Sequence, residues 1–211
     1  MNVLSSLNPA TGDVLGEVVV THTDKIQDSV DRARDAQLGW SALGLRGRAD
    51  LLGQVAAIFS EREQTHARLM TQEQGKPLKE SRAEAHGLGA RLEEEITEIV
   101  DALQPDILEH GGNRSTIYHD PLGVVGAITP WNFPMSMPNW MVLPSLMAGN
   151  TVVLKPSEET PLCGQAYADV LNEVLPKDVL IVVHGADDQG KALVHSDVDM
   201  IAFTGSREVG K

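Results

Sequence analysis

Gly123-Val124-Val125-Gly126-Ala127-Ile128 runs directly into Thr129-Pro130-Trp131-Asn132-Phe133-Pro134. The first six residues are small or apolar throughout, the texture of a strand buried on both faces. Two prolines then stop it. The same texture returns at Thr151-Val152-Val153-Leu154, at Val179-Leu180-Ile181-Val182-Val183 and at Met200-Ile201-Ala202-Phe203. Helical segments are predicted between these runs, near 134–147, 161–175 and 188–195. Short apolar strands alternating with helices predict an α/β fold with a parallel sheet and right-handed crossovers.

Upstream the texture differs. Residues 1–20 hold the turn signals Asn8-Pro9 and Thr11-Gly12-Asp13 before Val18-Val19-Val20, which predicts a β-arm. Ile26, Val30, Ala33 and Trp40 recur at helical spacing behind Asp24. One long helix is expected from about Arg46 to Gln74, closed by Gly75-Lys76-Pro77. Another is expected from about Lys79 to Leu103, ending at Pro105. Its Glu93-Glu94-Glu95 run reads as a solvated face, because no His or Cys stands nearby at ligand spacing, and no metal site is expected. After His110-Gly111-Gly112, the segment Ser115–His119 is strand-like. The expected organisation is thus β-arm segments at 1–20 and 112–122, a helical part at 21–111 and the parallel-sheet part at 123–211.

The chain has 211 residues with 17 Lys plus Arg against 30 Asp plus Glu, a formal charge of −13. That balance argues against nucleic acid and against anionic membrane surfaces as partners. No apolar run approaches the roughly 18 residues of a membrane span. The first residues lack a basic region followed by an apolar one, so no secretory signal is expected. The single cysteine, Cys163, forms no internal disulfide. A cytoplasmic location is the expectation.

Ligands of open parallel sheets sit beyond the carboxyl ends of the strands. After the first strand, Trp131 offers a flat wall and the uncharged amide of Asn132 two donors suited to a developing oxyanion. The commoner role of a loop Asn is to close an Asx-turn, and on residue type alone that reading leads. After the second strand, Lys155 followed by Glu158 can hydrogen-bond the two hydroxyls of a ribose. A carboxylate there would repel a 2′-phosphate. The same segment also reads as a helix start, with Ser157 or Thr160 as cap and Pro161 at the first position. After the third strand, Gly185 and Gly190 permit close backbone approach to a ligand. After the fourth, Thr204-Gly205-Ser206 reads as a helix start facing an anion. Gly205 to Lys211 also spells G-x-x-x-x-G-K, but the Ser/Thr, the helix and the magnesium-binding Asp of a P-loop do not follow, so that reading is set aside.

Taken in order, these segments resemble the NAD(P)+-dependent aldehyde dehydrogenase superfamily. The resemblance is carried by Gly123–Gly126, Pro130–Pro134, Ala148–Glu158, Thr160-Pro161-Leu162 and Phe203–Gly210. Asn8–Gly12 and Glu73–Pro77 extend it toward the N-terminus. It implies a partial doubly wound, Rossmann-like sheet and NAD as cofactor, with NADP possible. It places Ile128, Thr129, Pro130, Trp131, Lys155, Ser157, Glu158, Gly185, Gly190, Phe203, Thr204, Gly205, Ser206 and Val209 around that cofactor. Within that set Lys155 and Glu158 take the adenosine ribose, Gly205 and Ser206 the pyrophosphate, and Val209 the adenine side. Asn132 becomes the oxyanion donor to a small-molecule aldehyde, in a family whose full-length members are homo-oligomers.

The resemblance also implies what is missing. The family's nucleophilic Cys and general-base Glu lie beyond the Gly205–Gly210 motif, with the catalytic domain. Cys163 falls beside the adenosine side and is expected to be a small, half-buried helix residue. Met141 stands where the family usually has Lys, and Asp187-Asp188 occupy a loop that is usually richer in glycine. The chain alone is therefore expected to be inactive on aldehydes. The alternative from a different class is a non-catalytic dinucleotide-binding or assembly module working with another chain. In either case the strand at Met200–Phe203 is expected to be an open edge.

Overall fold

A computed structural model describes residues 2–210; Lys211 of the G-x-x-x-x-G-K pattern lies outside them. The N-terminal arm is an antiparallel hairpin of β1 (Val3–Leu7) and β2 (Val14–Val19). Helices α1 (Ile26–Ala42), α2 (Gly44–Gly53), α3 (Val55–Glu61), α4 (Glu63–Gln74), α5 (Leu78–Ala90) and α6 (Leu92–Ala102) follow. A second hairpin pairs β3 (Asp106–His110) with β4 (Asn113–Ile117). The rest alternates: β5 (Val124–Ile128), α7 (Ser136–Met147), β6 (Thr151–Lys155), α8 (Pro161–Asn172), β7 (Leu180–Val182), α9 (Asp187–Val194) and β8 (Met200–Phe203).

The four last strands form one parallel sheet in the order β7-β6-β5-β8. Side chains alternate across a strand, and that alternation divides the core. Val124 of β5, Val153 of β6 and Ile181 of β7 point to one face and pack with Ile26, Val30 and Ala33 of α1 and Leu193 of α9. Val125, Ala127, Val152, Leu154 and Leu180 point to the other, where α7 and α8 contribute Val142, Leu146, Tyr167 and Leu171. Helices therefore cover both faces, which explains why the strands read as unbroken apolar runs. Trp40, fully buried, ties α1 to the second face by donating its indole N–H to the Leu146 carbonyl at 2.9 Å. Among the described residues β8 pairs only with β5, so the open edge expected at Met200–Phe203 is present. Among the described residues no helix is long and apolar enough to cross a membrane.

Three upstream expectations need correction. The long helix at 46–74 is three helices. Gly53, a weak helix former, precedes the first break, where the Gln54 N–H turns back to Leu51 in a tightened turn. The buried positions Leu52, Val55, Phe59, Ala67 and Met70 still face one core, which is why the pattern read as continuous. The helix at 79–103 likewise divides, at Arg91, just after Gly87 and Gly89. The strand read at 115–119 is the second arm of a hairpin, displaced by two residues. Gly111 and Gly112, both at positive φ (56° and 83°), are its turn. Its first arm, Asp106–His110, lacks alternation and gave no strand signal.

Candidate functional site

Strand register assembles the site. Ile128 pairs with both Lys155 and Phe203, so the carboxyl ends of β5, β6 and β8 stand side by side. The Thr129 N–H donates to the Lys155 carbonyl and the Thr204 N–H to the Ile128 carbonyl, each at 3.2 Å. The Lys155 ammonium reaches the end of β7 by donating to the Gly185 carbonyl at 2.9 Å. Ile128 to Pro130, Lys155 to Glu158, Gly185 and Phe203 to Ser206 thus line one sheet end.

Lys155 is only 5% exposed. Its Nζ also donates to the Pro156 carbonyl at 2.9 Å and lies 3.5 Å from Glu158 Oε2. Burial pushes its pKa down, while the Glu158 and Asp187 carboxylates oppose that shift. Two of its three N–H bonds are spent on carbonyls, which fixes the ammonium and leaves one toward the partly exposed Glu158 carboxylate. An ammonium beside an accessible carboxylate presents donor and acceptor together, a set complementary to adjacent hydroxyls. His184 stands behind it, its Nε2 2.8 Å from Gln165 Oε1. Burial first, and then the Lys155 charge, push its pKa down to about 4.

Gly190 lies inside α9 rather than in the loop before it. A Cβ there would contact the Lys155 stem at 3.7 Å, so it flanks Lys155 from the helix. The local helix caps are also corrected. Ser157 Oγ accepts from the Glu159 N–H at 3.3 Å within its own turn, and Thr160 makes no side-chain capping bond. Pro161 does occupy the first helical position. The cap comes from α4: Glu73 accepts from the N–H groups of Leu162 (2.8 Å) and Cys163 (2.7 Å).

Beyond β5 the chain presents Trp131, Asn132 and Phe133 at the surface, while the Thr129 hydroxyl is buried without a partner. The Asx-turn reading of Asn132 fails on chemistry, because residue 134 is proline and has no N–H to donate. Among the described residues the Asn132 side-chain amide makes no hydrogen bond; only its backbone carbonyl is held, by Lys76 Nζ at 2.9 Å. Lys76 in turn pairs with Glu84 at 2.5 Å, and both are buried. Glu73, Lys76 and Glu84 carried no site signal in the sequence. Three charged residues within twelve positions around a helix stop look like solvated surface until the fold buries them.

After β8 the expected helix is a single turn within the described residues. The Gly210 N–H donates to the Ser206 carbonyl, and Ser206 Oγ accepts from the Val209 N–H at 3.2 Å. The Phe203 ring lies against this turn, and a Cβ on Gly205 would come within 2.5 Å of it, so a side chain there would have to displace the ring. Val209 is exposed. Cys163 is fully rather than half buried, at the first turn of α8. Burial, and then the Glu73 carboxylate, push its thiol well above the ordinary range, so it is no nucleophile. Met141 is partly buried against the core on α7. Among the described residues no cluster of His, Cys, Asp and Glu has the make-up of a metal site.

The profile of the aldehyde dehydrogenase family matches residues 2–211. The malonate-semialdehyde dehydrogenase of Lacticaseibacillus casei is 38% identical over 208 residues, covering 97% of this chain and 42% of that protein. The crystal structure of a NAD-dependent benzaldehyde dehydrogenase from Corynebacterium glutamicum superposes with a TM-score of 0.89 at 27% identity, over 99% of this chain and 46% of that one. An NADP-dependent glyceraldehyde-3-phosphate dehydrogenase from Bacillus halodurans, complexed with NADP, superposes with a TM-score of 0.92 at 30% identity, again over 99% and 46%. The chain spans less than half the length of each of these proteins.

Proposed function

Since the chain belongs to the aldehyde dehydrogenase family, we propose that it supplies the dinucleotide-binding and oxyanion-stabilising part of an aldehyde-oxidising site. The carrying observation is that the ends of β5, β6 and β7 meet at the buried Lys155 and its Glu158 partner, with the end of β8 alongside β5. Two further features fit NAD(P). The Thr129 hydroxyl is buried without a partner at the strand end, and Gly205 makes a cradle that a side chain would fill. In this reading Lys155 and Glu158 hold the ribose hydroxyls, with Ser157, Gly185 and Gly190 around them. Gly205 and Ser206 offer backbone N–H groups to the pyrophosphate. Ile128, Thr129, Pro130, Phe203 and Thr204 form the floor, Val209 meets the adenine side, and Trp131 walls the nicotinamide end. The dinucleotide, when bound, supplies the hydride acceptor.

Asn132 donates its free side-chain amide to the oxygen of an aldehyde as negative charge develops on it. The overall chemistry converts aldehyde, water and NAD(P)+ to a carboxylic acid, NAD(P)H and a proton. The chain alone does not complete it, because its single thiol is the buried Cys163. That same observation favours, as a second reading, a dinucleotide-binding or assembly module that works with another chain. In the assay for reduced nicotinamide, the 211-residue protein is expected to show no rate above blank with any aldehyde. A steady rate abolished by Asn132→Ala would overturn this.

Calorimetry tests the binding reading. NAD+ is expected to bind weakly, with Lys155→Met losing about tenfold or more, of the order expected when a charged hydrogen-bond partner goes. Glu158→Gln should narrow the preference for NAD+ over NADP+, because the carboxylate no longer repels a 2′-phosphate. Equal affinities of the native protein and Lys155→Met for NAD+ would remove this site from the reading.

A further inference from the structure

We propose that Lys76 and Glu84 are positioning residues for the Asn132 amide, holding its loop from both sides through one buried ion pair; this rests on reading Asn132 as the oxyanion donor. The side chains are 7% and 2% exposed, and Nζ lies 2.5 Å from Glu84 Oε2. Each partner spends its remaining capacity on the same short loop. Lys76 Nζ donates to the Asn132 carbonyl at 2.9 Å and sits 4.6 Å from the centre of the Phe133 ring. Glu84 Oε1 accepts from the N–H groups of Met135 (3.1 Å) and Ser136 (3.0 Å), where α7 begins.

Further bonds tie the loop to the start of α7. The Phe133 carbonyl accepts from the Met137 N–H at 3.0 Å, and Pro134 has no N–H to satisfy. Between these anchors the Asn132 side-chain amide makes no hydrogen bond among the described residues. A mobile loop would point that amide in many directions and forfeit the preorganisation on which oxyanion stabilisation depends. The ion pair reaches the loop because Gly75, at φ 85°, reverses the chain after α4 and Pro77 starts α5. That reversal sets Lys76 and Glu84 on neighbouring elements facing residues 132–136.

A merely structural role would make the pair a fold stabiliser with no special hold on the loop. Amide hydrogen exchange separates the two, with no dinucleotide or aldehyde present. In Lys76→Met, which unpairs Glu84, and in Glu84→Leu, which removes the acceptor of the Met135 and Ser136 N–H groups, exchange at Met135, Ser136 and Met137 is expected to speed up about 10- to 100-fold. Exchange in β5 and β6, and at Leu162 and Cys163, is expected to stay within about twofold of the native protein. The side-chain amide resonances of Asn132, assigned with Asn132→Ala, should shift in both variants and return toward native in Lys76→Arg. If a single variant does not fold, the double variant Lys76→Met/Glu84→Leu leaves no unpaired charge and is read in the same way. Unchanged exchange at 135–137, or a uniform rise across the sheet, overturns the proposal. Failure of NAD+ binding in native protein with an intact local response would instead count against the functional reading.

Discussion

Glu73→Ala is expected to lower the free energy of unfolding by about 3–5 kcal/mol, several times the usual loss from an exposed cap. The Glu73 carboxylate is buried and joins three elements. Its Oε1 accepts from the Ser6 hydroxyl of β1 at 2.7 Å and from the Leu162 N–H, and its Oε2 accepts from the Cys163 N–H. Pro161 has no N–H, so Leu162 and Cys163 carry the first free donors of α8. Alanine would leave two N–H groups and a hydroxyl without partners in a space closed to water. It would also remove an anion from the positive end of the helix. Glu73→Gln should fall between, since it keeps one acceptor oxygen but sets an amide NH2 against a backbone N–H. Glu159→Ala, at an exposed position in the same turn, is the control and should cost under about 0.5 kcal/mol. Urea unfolding at constant m-value reads all three. A loss below about 1 kcal/mol for Glu73→Ala would mean that water replaces the carboxylate and that the remote cap contributes little.

These remote carboxylates also mark the limit of what the sequence discloses. β5 begins and ends where its apolar run does, because a strand buried on both faces writes its own boundaries, and the apolar run of the edge strand β8 matches its bounds as well. The strand ends were legible for the same reason: locating the strand locates its end. Glu73 caps a helix that starts 88 positions later, and Lys76 reaches a loop 56 positions away. No local pattern encodes such a partner, so reading the sequence assigned the cap to the nearby Ser157 or Thr160. The β3 strand was missed because neither face of it is buried, so no alternation was imposed on Asp106–His110. Asn132 shows the converse. The fact that excludes its Asx-turn, a proline two residues on, was already in the sequence.

Acidification from about pH 6.5 to about pH 4 is expected to remove roughly 3 kcal/mol of stability for each of two buried histidines. His66 and His184 are held in their neutral forms, each with a pKa pushed down to about 4. Burial is the main cause in both; Arg62 adds to it at His66 and Lys155 at His184. Each also has a buried Nδ1 without a partner. In the unfolded chain both imidazoles take up a proton near the ordinary value of 6.5. Between there and about 4 the unfolded state binds more protons, so stability falls as pH falls; below about 4 both states are charged and this loss stops growing. Glu95 acts in the opposite sense, since burial raises its pKa and the folded state takes up its proton first. Asp199, lowered by the Val124 N–H and Arg34 against its own desolvation, adds its loss only below its ordinary value of 3.8. The loss between 6.5 and 4 therefore comes from the histidines, with Glu95 offsetting part of it, and histidine variants separate the two. His66→Phe, against the Phe59 ring 5.9 Å away, should flatten the slope by about half, and the double variant with His184→Gln should remove most of it. A native protein whose stability is level across this window would show that neither imidazole stays neutral when folded. His184 carries a further consequence: in the folded protein its proton arrives only near pH 4, so NAD+ binding is expected to stay level from pH 6.5 to about pH 5, and any change near pH 4 should be absent in His184→Gln.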